Sequence, residues 1–285
     1  MKAENVAGKR IGLIGVGNIG ASILRGLLAA DSDARMERFY IYDAKEEAVR
    51  HFESDPGYKT RVEVCENSAE VAKNSEIIIM AVKPNVVKAV VEEIAPFVAE
   101  DKILISVAAG VLTETIERYL GEEKKLIRVM PNVGVRVGES VSAICRGKYA
   151  GAEDEDRAKA ILSVIGSVYS VSENDIDVIT GLSGSGIAFF AAVIEAMADG
   201  GVYNGLQHDL ALTIAAKTAL GAAKMVLAGD TPGEIQTMTA SPGGTTIRGL
   251  YALETGGVKA AMMRAVIDAT DRAAELSRMG GRDEE

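Results

Sequence analysis

Along the first 170 positions, apolar residues come in short dense runs separated by stretches of helical spacing. The runs 10–14, 39–42, 62–65, 76–82, 103–107 and 126–130 are almost wholly apolar, as strands buried on both faces are. Between them, 21–30, 68–73 and 84–98 read as helices, and Pro84 can open the last of these because a first helical position needs no N–H. Runs 141–145 and 168–171 flank an acidic helix, 153–165. Strands alternating with helices predict an α/β domain around a mostly parallel sheet.

The pattern changes near Ser172-Glu173-Asn174-Asp175, where the apolar spacing breaks. Beyond it no strand-like alternation returns. Residues 177–202 are rich in Ala, Gly and Ser, and 210–228 are apolar on nearly every side. Residues 258–279 carry one stripe, Val258, Met262, Ala265, Ala269, Ala273 and Leu276, with charges elsewhere. A helix apolar on all faces must be covered on all faces, and a domain of about 110 residues can hardly enclose two such helices alone. The expected organisation is a dinucleotide-binding domain, 1–172, followed by an all-α domain, 173–285, that a second subunit covers.

The first domain earns its description from Gly15-Val16-Gly17-Asn18-Ile19-Gly20, between the first strand and the first helix. In this setting Gly15 makes the tight turn, Gly17 admits a pyrophosphate to the backbone, and Gly20 lets the helix pack on the strand. The second strand ends at Asp43, 23 positions after Gly20. A carboxylate there suits the ribose hydroxyls of NAD and repels a 2′-phosphate. NADH is therefore favoured, with NADPH left open by the nearby Lys45. Ligands of open α/β sheets lie beyond the carboxyl ends of the strands, so Ala81-Val82-Lys83-Pro84, Ala108-Ala109-Gly110 and Met130-Pro131-Asn132 are expected walls of one crevice.

The formal net charge of -10 and the lack of a Lys/Arg-rich block argue against nucleic acid and anionic membranes as partners. The longest unbroken apolar run, 187–194, is far shorter than the roughly 18 residues of a membrane span, and the first ten residues lack the apolar core of a signal peptide. A soluble, cytoplasmic protein is expected. Cys65 and Cys145 are far apart in apolar runs and read as buried free thiols. His51 and His208 are the only histidines and read as surface residues, leaving no metal site and no Ser-His-Asp triad.

Residues 237–254 carry a different chemistry. Ser241-Pro242 reads as a helix start, Gly243 and Gly244 leave its first turn bare, and Thr245 and Thr246 add hydroxyls. Such an end can hold a small anion such as a carboxylate.

Taken in order, residues 15–20, 81–84, 106–110, 130–132, 180–186, 198–201, 221–225 and 241–246 resemble the pyrroline-5-carboxylate reductases over nearly the whole chain. The resemblance implies an N-terminal Rossmann-like domain joined to an all-α dimerisation domain, in a homodimer or a larger homo-oligomer such as a decamer. The implied reaction is NAD(P)H-dependent reduction of Δ1-pyrroline-5-carboxylate to L-proline. It further implies that Gly15, Val16, Gly17, Asn18, Ile19, Gly20, Asp43, Asn67, Ala81, Val82, Lys83, Pro84, Ala108, Ala109 and Gly110 contact the cofactor. Glu173, Ser241, Gly243, Gly244, Thr245 and Thr246 would line the substrate site, with Thr246 hydrogen-bonding the imine nitrogen.

Three short stretches depart from the family's pattern: Val133-Gly134 stands for Thr-Pro, Ile187 for Pro, and Asp43-Ala44 for Asn-Arg. The first two keep a reductase of another cyclic imine carboxylate open as an alternative; the third favours NADH. A non-catalytic dinucleotide-binding regulator is the alternative from another class.

Overall fold

The computed structural model describes residues 8–30 and 36–280. Most of the expectation about the first ten residues lies outside that range. The chain divides into two compact units, one formed by the segment up to Gly184 together with the segment from Ala269, the other by Ser185–Asp268.

The first unit is built on one eight-stranded sheet in the order β3-β2-β1-β4-β5-β6-β7-β8. The strands are β1 (Arg10–Ile14), β2 (Arg38–Tyr42), β3 (Val62–Val64), β4 (Ile77–Met80), β5 (Ile103–Ser106), β6 (Lys125–Met130), β7 (Ser140–Arg146) and β8 (Gly166–Ser170). The first six run parallel; β7 runs antiparallel to β6, and β8 follows β7. The chain works outward from β1 to β3 and then returns to the other side of β1, which leaves a topological switch point between β1 and β4.

Side chains alternate across a strand, and this alternation splits the core into two layers. Ile11 and Leu13 of β1, Ile77 and Ile79 of β4, Ile103 and Ile105 of β5, and Ile127 and Val129 of β6 face one layer. They meet α1 (Asn18–Ala30), α2 (Glu46–Ser54) and α6 (Ala152–Leu162) through Leu24, Leu27, Phe52, Ala158 and Ile161. Ile14, Ile78, Met80, Leu104 and Leu126 face the other layer. There they meet α3 (Ser68–Asn74), α4 (Val87–Ile94) and α5 (Thr113–Leu120) through Val71, Val91, Ile94, Ile116 and Leu120.

The expected strands are all present, with small differences at their ends. The helix expected at 84–98 is interrupted: residues 84–86 and 95–97 form 3₁₀ turns on either side of α4. Prolines at 84 and 96 lie within those turns. Helix α5 has no counterpart among the elements expected from spacing, because its eight residues, TETIERYL, contain only three large apolar side chains.

After β8, the helix expected over 177–202 runs from α7 (Asp175–Ile179) through a five-residue π-helical turn (Thr180–Gly184) into α8 (Gly186–Tyr203). Ile176 of α7 packs on Ala143 and Cys145 of β7. The first segment of the first compact unit runs to Gly184.

The second unit contains α8, α9 (His208–Ala228), α10 (Pro232–Thr239), α11 (Thr245–Thr255) and the start of α12 (Val258–Gly280). Helices α8 and α9 pack through small residues: Ala198, Ala211 and Ala215 are buried with Ile194 beside them. Most of the remaining apolar surface is open, including Phe190, Met197, Leu210, Ile214, Leu220 and Tyr251, and Leu227 is 84% exposed. Residues 175–203 and 208–228 are also long and apolar enough, by length and composition alone, to cross a membrane. Unbroken apolar runs understate this, because a single Gly, Ser, Thr or charged residue ends a run without making a helix polar.

Both free cysteines are buried, and both histidines are exposed. Among the described residues no group of His, Cys, Asp and Glu could hold a metal ion. Burial, with the Glu70 and Glu63 carboxylates near Cys65 and Glu173 near Cys145, pushes both thiols up to about 12. Since the thiolate is the nucleophile, native protein at pH 8 should resist alkylation by iodoacetamide, whereas denatured protein should gain two adducts by mass spectrometry. Rapid labelling of the native protein would contradict this packing.

Candidate active site

The glycine-rich loop leaves β1 at the switch point. Gly15 has φ +92°, and a Cβ on it would lie 2.7 Å from the Ala81 carbonyl oxygen. Its N–H donates to the Tyr42 carbonyl at 2.8 Å. A Cβ at Gly20 would collide with the Gly15 carbonyl, so only glycine lets α1 start this close to the strand. Gly17 is the opposite case: a Cβ there would meet nothing within 4 Å, and the residue is exposed. The loop is closed where it must pack and open where a ligand would approach.

Helix α1 begins at Asn18, earlier than the expected 21, so its first amides, at Asn18, Ile19 and Gly20, have no partner within the helix. They and Gly17 form a cradle suited to a pyrophosphate. Val16 is buried, and its N–H donates to Asp43 Oδ2 at 2.7 Å. Asp43 Oδ1 accepts from Lys45 N at 2.9 Å. Asp43 thus ties the end of β2 to the loop while remaining half-exposed beside it. Its carboxylate oxygens keep lone pairs for a ribose hydroxyl, since each can accept more than one hydrogen bond.

The other crevice walls also stand at strand ends. Ala81 N–H donates to the Ile14 carbonyl at 2.7 Å, holding residues 81–84 beside the loop. Lys83 is exposed where the 3₁₀ turn beginning at Pro84 starts, and Val82 is half-buried. Ala108 is buried, Ala109 exposed, and Gly110 has φ +72°. Asn67 caps α3, its Oδ1 accepting from Glu70 N at 2.8 Å.

Asn132, 7% exposed, uses its whole carboxamide. Oδ1 accepts from Gly134 N and Val141 N at 3.1 and 3.3 Å, and Nδ2 donates to Ser183 Oγ at 2.9 Å and to the Ser183 carbonyl at 3.3 Å. The end of β6 is thereby joined to the π-helical turn. Such turns recur at functional sites.

In the second unit, Ser241 does not start a helix. The Gly244 N–H donates to the Ser241 carbonyl at 2.9 Å, and Gly243 has φ +70°. Pro followed by a glycine at positive φ is a type II turn. Helix α11 starts four residues later at Thr245, with Gly244 as N-cap and no side chain capping it. The Gly244 amide is consumed in the turn, so the open amides are those of Thr245, Thr246 and Ile247 at the helix start. Thr246 is half-buried there and Thr245 exposed.

Glu173 is tied to two residues far from it in sequence. Oε1 accepts from Thr113 N at 2.7 Å and from Arg128 Nη1 at 2.9 Å, and Oε2 accepts from Thr113 Oγ1 at 2.8 Å. Both oxygens therefore accept hydrogen bonds from within the first unit. Spacing missed Thr113 and Arg128. The one available signal for Arg128 was a charge inside the otherwise apolar run 126–130.

Two family models match. One, described as pyrroline-5-carboxylate reductase dimerisation, covers residues 173–276; the other, NADP oxidoreductase coenzyme F420-dependent, covers residues 10–110. The pyrroline-5-carboxylate reductase of Methanosarcina acetivorans is 41% identical over 95% of this chain and 98% of its own. That of Pisum sativum is 39% identical over 94% and 96%. A solved pyrroline-5-carboxylate reductase from Coxiella burnetii superposes with a TM-score of 0.87 at 30% identity, covering 95% of this chain and 99% of its own. The Plasmodium falciparum pyrroline carboxylate reductase, solved with NADP bound, gives 0.83 at 28% identity over 95% and 99%. With full-length relatedness at this level and both halves in place, the chain belongs to the pyrroline-5-carboxylate reductase family.

Proposed function

We propose that the protein reduces Δ1-pyrroline-5-carboxylate to L-proline. A reduced nicotinamide nucleotide held at the glycine-rich loop supplies the hydride, which goes to the imine carbon while a proton reaches the imine nitrogen. The observation that carries the reading is the open turn at 241–246 in a chain related end to end to these reductases. Its uncapped amides at Thr245 and Thr246 suit the substrate carboxylate, which would fix the imine carbon for attack. The Thr246 hydroxyl hydrogen-bonds the imine nitrogen. A neutral Thr is too weak an acid to protonate it outright, so its role is to orient the ring or relay the proton. Val133-Gly134 and Ile187 favour a test against other cyclic imines.

The residues at the first site fit a dinucleotide: the cradle at 17–20 is open, and Asp43 stands half-exposed beside the loop. The partner is a second copy of this chain. The apolar helices α8 and α9 fall within the dimerisation match at 173–276, which supports reading them as subunit contacts rather than membrane spans. Assembly beyond the dimer, as in a decamer, is the larger form of the same proposal, and two buried free thiols suit a cytoplasmic setting.

Purified protein should oxidise NADH with pyrroline-5-carboxylate and not with six-membered imines or β-hydroxyacids. Turnover of another ring in preference would reassign the substrate, and no turnover with any imine would favour a regulator. Thr246→Ala should lower kcat by ~10²-fold or less; an unchanged kcat/KM would remove Thr246 from the mechanism. The Asp43 carboxylate should make kcat/KM higher with NADH than with NADPH, and the reverse order would show that Asp43 turns from the ribose. Light scattering should show a dimer or larger assembly, against which a stable, active monomer would count.

A further inference from the structure

The loop 107–112 leaves the end of β5 and enters α5. Upstream it is tied by the Val107 N–H, which donates to the Met80 carbonyl at 3.0 Å. Ala108 N–H makes a long contact with Ser106 Oγ at 3.4 Å, and Gly110 turns with φ +72°. Downstream, the N-cap residue Leu112 offers no side chain to cap α5. The cap comes instead from Glu173, 60 positions later, which takes both the first amide and the hydroxyl of Thr113.

A carboxylate at a helix N-terminus is favoured by the helix dipole, and its hydrogen bonds are charge-assisted. The same carboxylate answers Arg128, whose side chain is 3% exposed. Arg128 lies in β6 opposite Ser106 of β5, the residue at the root of the loop. A buried guanidinium needs a charged partner, so Glu173 is held from below by the sheet and holds the helix start above it. Glu173 thus fixes Thr113, the residue into which 108–112 leads.

We infer that Glu173 is a positioning residue: through Thr113 it sets the 108–110 loop for the dinucleotide and makes no contact with the imine substrate. This rests on the reading that 108–110 contact the cofactor. Two full-length variants test it. Glu173→Gln places an amide NH₂ where acceptors are needed; Thr113→Val removes one tie and leaves the Arg128–Glu173 pair intact. KM for each substrate and kcat are measured, with amide exchange of 107–113 followed by mass spectrometry without ligand.

Glu173→Gln should raise KM for the dinucleotide about tenfold while KM for the imine stays within about twofold, and exchange in the loop should speed up. Thr113→Val should raise KM for the dinucleotide about threefold, and it decides the matter if Glu173→Gln does not fold. A rise confined to KM for the imine would return Glu173 to the substrate site. Unchanged loop exchange with unchanged KM for the dinucleotide would also overturn the inference. The underlying reading is tested separately, because NADH should slow exchange of 108–112 in the unaltered protein. A lack of such protection would take the loop out of the cofactor site and the inference with it.

Discussion

A sheet buried on both faces leaves only its ends for chemistry. Here β4 and β5 are buried along their whole length, with helices on each side. Every polar group with work to do in this unit is therefore carried on a loop at a strand end or must be reached from one. The switch point between β1 and β4 decides where those loops part, and the glycine-rich turn stands at that gap. Gly15 and Gly20 are confined by backbone on either side, while Gly17 is bare. Rigidity and access are thus separated by two residues.

The same constraint explains why polar cross-links gather beneath the strand ends. Arg128 and Asn132 are buried, and each donates to a partner far along the chain, Glu173 and Ser183 respectively. Both partners come from the segment after β8, which lies against β7 through Ile176. That segment supplies hydrogen bonds that the strand-end loops do not supply for themselves. Loops of a catalytic crevice must be open to ligands, so their fixed points have to come from behind.

Local signals were legible in the sequence and distant ones were not. The strands and the glycine fingerprint depend on neighbouring residues, and a short dense apolar run or three glycines suffices to read them. The relationship of Glu173 to Thr113 and Arg128 spans 60 and 45 positions, and no spacing rule reaches that far. The resemblance draws attention to Glu173 as a substrate residue, and its bonds to Thr113 and Arg128 could not be read from that. The start of α11 failed for a subtler reason. Proline has the same φ at the first position of a helix and at the second residue of a turn, so Ser241-Pro242 fits both. The positive φ of Gly243 breaks the tie, and sequence alone does not display it.

In the second unit the chemistry and the assembly bear on each other. Amides open to water gain little from a carboxylate, because water solvates both partners and screens their attraction. The open amides at Thr245 and Thr246 lie in a unit whose apolar helices are equally open in a single chain. Covering those helices with a second copy would withdraw water from the region and strengthen every hydrogen bond made there. On this argument the second copy adds more than stability. The apolar surface that drives association is also what would make a turn of bare amides strong enough to hold and orient a small anion.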